Sequence, residues 1–171
     1  MVRNYLAHDF DIAIWHGAGQ WRGFHAEQLT EDEIFPVCSP SLLRNGPPLR
    51  VPKDLANFTI IRNSTAGTGG DEWSFWLDAA EASNVEFRSE ISCDFMITAL
   101  QAGIDGMGIA LGRSTVVERD LAEGRLVAPL TARVKSAFNY YIVVPKGGAE
   151  RLKTRCFRDW LLQTMGLPNG A

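Results

Sequence analysis

Two runs of β-branched and aromatic residues, each closed by a proline, organise the pattern of apolar and polar positions. The first is Glu33-Ile34-Phe35-Pro36-Val37-Cys38-Ser39-Pro40. It starts as a strand, Ile34 to Cys38, because Ile, Phe, Val and Cys are β-formers or buried types. Pro36 denies one ladder hydrogen bond, which places that strand at an edge or at the point where it leaves a sheet. Ser39-Pro40 then reads as a helix N-cap with proline at the first helical position. The second run, Asn139-Tyr140-Tyr141-Ile142-Val143-Val144-Pro145, has the same build. Two strands that cross between two lobes, with a ligand where they cross, is one reading. Two unrelated strands is the other.

The remaining pattern alternates strands and helices. Phe10 to Trp15 reads as a buried strand followed by a turn at His16-Gly17-Ala18-Gly19, with Arg3 to His8 the tail of a helix before it. Phe24 to Thr30, Phe58 to Arg62, Val85 to Ser92 and Met107 to Leu111 read as strands. Pro40 to Arg44 is a short helix stopped by Gly46-Pro47, and Pro52 to Ala56 a helical turn. Asp71 to Ala82 is a helix with Trp73, Trp76, Leu77 and Ala80 on its core face. Asp94 is expected to cap a helix that runs to about Gly103 and buries Ile97, Leu100, Gln101 and Ile104. Ala149 to Met165 is a long amphipathic helix with Leu152, Cys156, Trp160 and Leu161 inward and Arg151, Arg155 and Arg158 outward.

Length and composition narrow the class. The chain has 171 residues, 46% hydrophobic and 22% charged, which suits one globular domain or two small lobes. No apolar run approaches the ~20 residues of a membrane span, and Met-Val-Arg-Asn-Tyr has no signal-peptide core, so the expectation is a cytoplasmic protein. The net charge of −3 argues against this chain gripping DNA alone, because phosphate contacts need clustered Lys and Arg. Cys38, Cys93 and Cys156 are too few and too scattered for a disulfide framework or a zinc site, and read as buried free thiols. His8, His16 and His25 never fall at the i, i+4 spacing of helical metal ligation. No metal or cofactor is expected.

Candidate chemistry is modest. In open α/β sheets ligands bind just past the carboxyl ends of strands, which singles out Trp15 and His16, and Asn63-Ser64-Thr65 after the Phe58 to Arg62 strand. His16 is equally a loop histidine bonded to backbone, and Asn63 and Ser64 equally turn formers. The start of the Asp94 helix, with Phe95 beside it, offers free N–H groups to an anion, unless Asp94 occupies those donors itself. Ala66-Gly67-Thr68-Gly69-Gly70 lacks the Lys-Ser/Thr of a phosphate loop. Gly103 to Gly108 is not a dinucleotide fingerprint, since its glycines precede a strand. Gly112-Arg113-Ser114 lacks the second glycine of a nucleophile elbow, and no histidine follows it. No enzyme is expected: Asp94 with His16 is the one acid–base pair to propose.

The order of these pieces resembles a known family. Phe10-Asp11-Ile12-Ala13-Ile14, Phe35-Pro36-Val37-Cys38-Ser39-Pro40, Leu49-Arg50-x-Pro52-x-Asp54-Leu55 and Trp73-x-x-Trp76-Leu77 look like the effector-binding domain of LysR-type transcriptional regulators. Ala99-Leu100-Gln101-Ala102-Gly103, Gly108-Ile109-Ala110-Leu111-Gly112-Arg113, Leu121 to Val127, Tyr140 to Pro145 and Phe157 to Leu161 continue it. The glycine-cleavage-regulator-like branch is the most similar.

That resemblance implies an α/β, type II periplasmic-binding-protein-like fold: two α/β lobes joined by two crossover strands, the first lobe incomplete. Residues 1–37 with 145–171 form lobe I, and residues 38–144 form lobe II. It implies a small effector, an amino acid or small carboxylate, bound between the lobes by Trp15, His16, Asn63, Ser64, Asp94, Phe95 and Met107. Where the family often has Arg after the first-lobe strand, this chain has Trp15-His16. The family's winged helix-turn-helix, linker helix and first strand-helix-strand unit have no counterpart here. DNA is therefore expected to be reached only through that missing N-terminal domain. The edge beside Phe10 to Ile14 is left open, which predicts a homodimer or higher self-association. The expected function is effector sensing in transcription regulation. The alternative is a stand-alone small-molecule (solute) binding protein of the same fold with no DNA role.

Overall fold

The structure, a computed structural model, describes residues 10–64, 71–149 and 151–167. The expected helix tail at Arg3–His8, Thr65 and the glycine-rich turn at 66–70 lie outside them. In chain order the elements are β1 (Ala13–Gly17), β2 (Phe24–Gln28), β3 (Glu33–Val37), α1 (Pro40–Asn45), β4 (Thr59–Asn63), α2 (Glu72–Ala79) and β5 (Ser89–Cys93). There follow α3 (Met96–Ile104), β6 (Ile109–Arg113), α4 (Ser114–Ala122), β7 (Val134–Lys135), β8 (Asn139–Pro145) and α5 (Leu152–Thr164). A 3-10 turn, Pro52–Asn57, precedes β4.

The chain divides into two compact units, Met1–Asp32 with Ser136–Ala171 (unit 1) and Glu33–Lys135 (unit 2). The divisions fall at 32/33 and 135/136, several residues from the 37/38 and 144/145 boundaries read from the sequence. The reason is pairing: β3 lies wholly in the sheet of unit 2, and β8 lies wholly in that of unit 1.

Unit 2 is a five-stranded sheet in the order β5-β4-β6-β3-β7. Strands β4, β5 and β6 are parallel, and β3 runs antiparallel to β6 and β7. Because side chains alternate between faces, the apolar run on β4 fills two cores. Ile60 packs with Trp73, Trp76 and Leu77 of α2, while Ile61 packs with Ala99 and Leu100 of α3 and Val117 of α4. The buried indole N–H groups are satisfied: Trp73 donates to the Ile61 carbonyl at 3.1 Å and Trp76 to that of Ala132 at 3.3 Å. Pro36 sits where its missing N–H is tolerated. The β7 ladder ends at Ile34, and the next residue bonded on that side is Cys38, to Val127. As the sequence predicts, Ser39 caps α1 through its side chain, with Pro40 at the first position.

Several expectations shift. β5 covers only the last part of the expected Val85 to Ser92 strand. The buried face of α3 is Ala99, Leu100 and Gly103, and Ile97 is exposed. Gly103 packs its bare Cα toward Ala110 and Leu126, so the helix turns its small residues to the sheet. Of the three thiols only Cys38 is buried, and Cys156 is exposed. Burial pushes the Cys38 thiol up to about 12.

Unit 1 is an antiparallel sheet in the order β1-β8-β2. Its core is Leu29, Ile142, Val144 and Leu162, with Tyr140 and Leu161 packed against it. The first strand starts at Ala13 and is not the buried run expected, since Ile14 is 50% exposed. On α5 the buried residues are Thr154 and Leu162, whereas Leu152, Cys156 and Trp160, expected inward, are exposed.

Candidate functional site

The carboxyl end of the parallel strands of unit 2 is where its polar candidates gather. The register pairs Asn63 with Cys93, so Ser64 and Asp94 follow side by side. The Ser64 N–H donates to the Cys93 carbonyl at 2.8 Å. The Ser64 hydroxyl lies 3.1 Å from that carbonyl and 3.3 Å from the Asp94 carboxylate. Each of α2, α3 and α4 begins at this same end, after β4, β5 and β6 respectively. Helix N-termini at strand carboxyl ends present N–H donors and a positive dipole to whatever lies in front.

The three starts differ. Asp71 caps α2, accepting from the Trp73 N–H at 3.1 Å and the Ser74 hydroxyl at 2.8 Å. Phe95, not Asp94 as expected, is the N-cap of α3, which has no side-chain cap, and Phe95 is 68% exposed. Asp94 lies one residue too early to cap and instead receives the Ser64 hydroxyl. At α4 the Ser114 hydroxyl accepts from the Glu33 N–H at 3.0 Å, which ties the start of unit 2 to this end of its sheet.

Ion pairs hold this end in place. Buried Arg113 at the end of β6 pairs with Glu72 in the first turn of α2. Arg62 binds Asp71 and Glu90, each at 2.6 Å, and lies over the Phe87 ring. The Arg62 hydrogen bond lowers the Glu90 carboxyl from its ordinary value against the effect of burial. Burial raises Asp71, but the Ser74 hydroxyl and the Arg62 charge outweigh it and leave Asp71 lowered. Asn63, Arg62, Asp71 and Glu72 line a small recess floored by Ile61 and Leu111.

The other expected residues fall elsewhere. Met107 precedes the amino end of β6, in the turn where its N–H bonds the Ala102 carbonyl, and is 55% exposed. Six residues at strand rise put it about 20 Å from the Arg113 end. It therefore does not join Asn63, Ser64, Asp94 and Phe95. Met107 enters only through the family resemblance, and its place in a turn before a strand agrees with the amino end seen here. In unit 1, His16 belongs to β1 and not to a turn, paired with Tyr140, their rings 4.9 Å apart. Trp15 pairs with Tyr141. As neighbours on a strand, Trp15 and His16 point to opposite faces. His16 stands at the end of β1 where Gly17 pairs with Asn139, whose side chain accepts from the Asp32 N–H at 2.9 Å. Among the described residues no group of three or more His, Cys, Asp or Glu side chains is arranged to hold a metal.

A mixed sheet with three helix starts and short polar side chains at one end defines an α/β domain, and puts those side chains where open α/β sheets bind ligands. The LysR substrate binding domain model matches residues 1–166, and the chain belongs to that family. It is 32% identical over 157 residues to the glycine cleavage system transcriptional activator of Escherichia coli (strain K12), which covers 92% of this chain and 50% of that protein. It is 29% identical over 160 residues to the transcriptional activator AmpR of Enterobacter cloacae, covering 93% of this chain and 52% of the relative. The chain thus spans about half the length of these curated relatives. Among solved structures it resembles the effector domain of AmpR of Pseudomonas aeruginosa, with a TM-score of 0.74 and 29% identity, covering 91% of this chain and 72% of that one. The AmpR effector binding domain from Citrobacter freundii gives a TM-score of 0.76 at 25% identity, covering 91% and 74%. The fold is the type II periplasmic-binding-protein-like α/β fold of such effector domains.

Proposed function

We propose that this chain is the effector-sensing domain of a LysR-type transcriptional regulator, acting in the cytoplasm and binding a small molecule to modulate transcription. The observation that carries the proposal is the convergence of Ser64 and Asp94 beside the uncapped start of α3. In unit 2, Asn63, Ser64, Asp94 and Phe95 are the proposed effector contacts. The first-turn N–H groups of α3 suit a carboxylate, Asp94 suits an amine, and Phe95 supplies an apolar cover. An amino acid or small carboxylate fits that set. Met107 is not carried forward, because it stands at the other end of the sheet. In unit 1, Trp15 and His16 are proposed as separate contacts, one on each sheet face. Catalysis is not assigned: the relatives are transcriptional regulators, and Asp94 and His16 belong to different units. DNA binding is assigned to a part of the regulator beyond this domain. Self-association is proposed through β1, an edge strand among the described residues.

A thermal-shift screen of amino acids and small carboxylates tests the reading. A ligand that binds only the folded state stabilises it by about 2.7 kcal/mol at a hundredfold excess over its dissociation constant. The expected result is a ligand whose shift is lost in Ser64→Ala and Asp94→Asn, with the ligand-free melting temperature unchanged. No shift from any compound, or a shift both variants retain, would overturn the assignment.

A further inference from the structure

Unit 1 holds a cavity of about 300 Å³ between its sheet and α5. Strand register explains its chemistry. His25 pairs with Val144 and Glu27 with Ile142, and residues directly opposite share a face. Two polar side chains therefore stand on the face whose other members, Ile142 and Val144, form the core of the unit. Across the cavity, Thr154 and Arg158 lie one turn apart on α5 and so on one side of it. Thr154 is 2% exposed, and among the described residues its hydroxyl has no hydrogen-bond partner. A buried hydroxyl left unpaired is unfavourable, and here it borders a cavity. Helix α5 begins without a side-chain cap, so its positive end lies within one turn of Thr154. Arg158 is bound to Asp159 at 2.9 Å, and its approach to Glu27, 3.9 Å, is too long for a hydrogen bond.

We propose that this cavity is a second small-molecule site, specific for a zwitterion with an apolar side chain, such as a branched or aromatic α-amino acid. The ligand carboxylate takes the Thr154 hydroxyl and the Arg158 guanidinium, and the ammonium takes Glu27. The side chain lies on Ile142 and Val144. Charges of both signs in one cavity favour a ligand carrying both, since a lone anion or cation would leave the opposite group facing its own sign. The site belongs to unit 1 alone and is independent of the effector contacts proposed in unit 2.

Titration of the chain with leucine, valine and phenylalanine, followed by amide NMR shifts, tests the proposal. At least one is expected to saturate, with shifts concentrated in residues 25–28, 142–144 and 152–158. Thr154→Val, which keeps the side-chain shape, and Arg158→Gln should each weaken binding at least tenfold. Ser64→Ala and Asp94→Asn should leave it unchanged. For the amino acid that binds, its amide and its N-acetyl derivative should each bind at least tenfold more weakly. The proposal is overturned if none of the three saturates, if Thr154→Val and Arg158→Gln leave binding unchanged, or if the shifts fall at residues 63–64 and 94–95 instead.

Discussion

In unit 2 the central strands bury both faces: Ile60 goes to one core and Ile61 to the other, and helices cover each side. Among the described residues of unit 1, a three-stranded sheet supports one small core, its first strand leaves Ile14 half exposed, and α5 leaves Leu152 and Trp160 outside. The difference teaches how much apolar surface each sheet covers and hence which polar groups each can hold in place. A sheet covered on both faces keeps Asn63, Ser64 and Asp94 in register. Among the described residues the sheet of unit 1 carries one small core and a cavity beneath its helix.

The largest expected effect follows from the two cores. Trp76→Ala, at a fully buried position, should cost about 3–5 kcal/mol in urea unfolding. Leu162→Ala in the core of unit 1 should cost about 2 kcal/mol, near the low end for such truncations. Equal costs would erase the contrast. Next, Gly112→Ala would place a Cβ within 2.9 Å of Val117 and 3.0 Å of Val37. Overpacking there should cost about 1–3 kcal/mol, read as a lower urea midpoint. Smaller and opposite in sign, Thr154→Val should stabilise the ligand-free protein by about 1 kcal/mol, because it removes an unpaired buried hydroxyl. A loss of stability instead would mean that the hydroxyl is satisfied in solution.

The smallest effect is in acid. Asp71 and Glu90 are lowered in unit 2, and Asp11 is lowered in unit 1 chiefly by the Lys153 hydrogen bond, against burial and with help from Arg151. A lowered carboxylate stabilises the fold above its unfolded value, and that stability is lost as pH falls through the folded one. Both units should therefore weaken below the ordinary values of 3.8 for Asp and 4.5 for Glu. Arg62→Gln should flatten that dependence in unit 2 only, seen by following the melting of each unit with amide signals against pH.

How much could be read from the chain follows the same division. The Ser39-Pro40 cap and the Trp73, Trp76, Leu77 face of α2 were legible because each is a local signal that the surrounding sheet reinforces. That Asn63 and Ser64 stand at a strand end and Asp94 and Phe95 at a helix start was legible because strand ends and helix starts mark themselves, although the cap itself fell one residue later than expected. Met107 enters only through the family resemblance; its place just before a strand already puts it at the amino end, away from Asn63, Ser64 and Asp94. The face of α5 was misassigned because its apolar residues outnumber those that the small core takes up, and Thr154 and Arg158 sit on the inner side. His25 and Glu27 carried a signal, polar residues at core parity, but it becomes visible only once β2 is registered against β8.

The central claim is that a small effector is recognised at the carboxyl ends of β4 and β5. The most direct measurement is amide hydrogen exchange with and without the compound that gives the largest thermal shift. The account predicts increased protection at Ser64, Asp94 and Phe95 and in the first turn of α3, abolished by Asp94→Asn. Protection that leaves these residues unchanged while the ligand is saturating would contradict it.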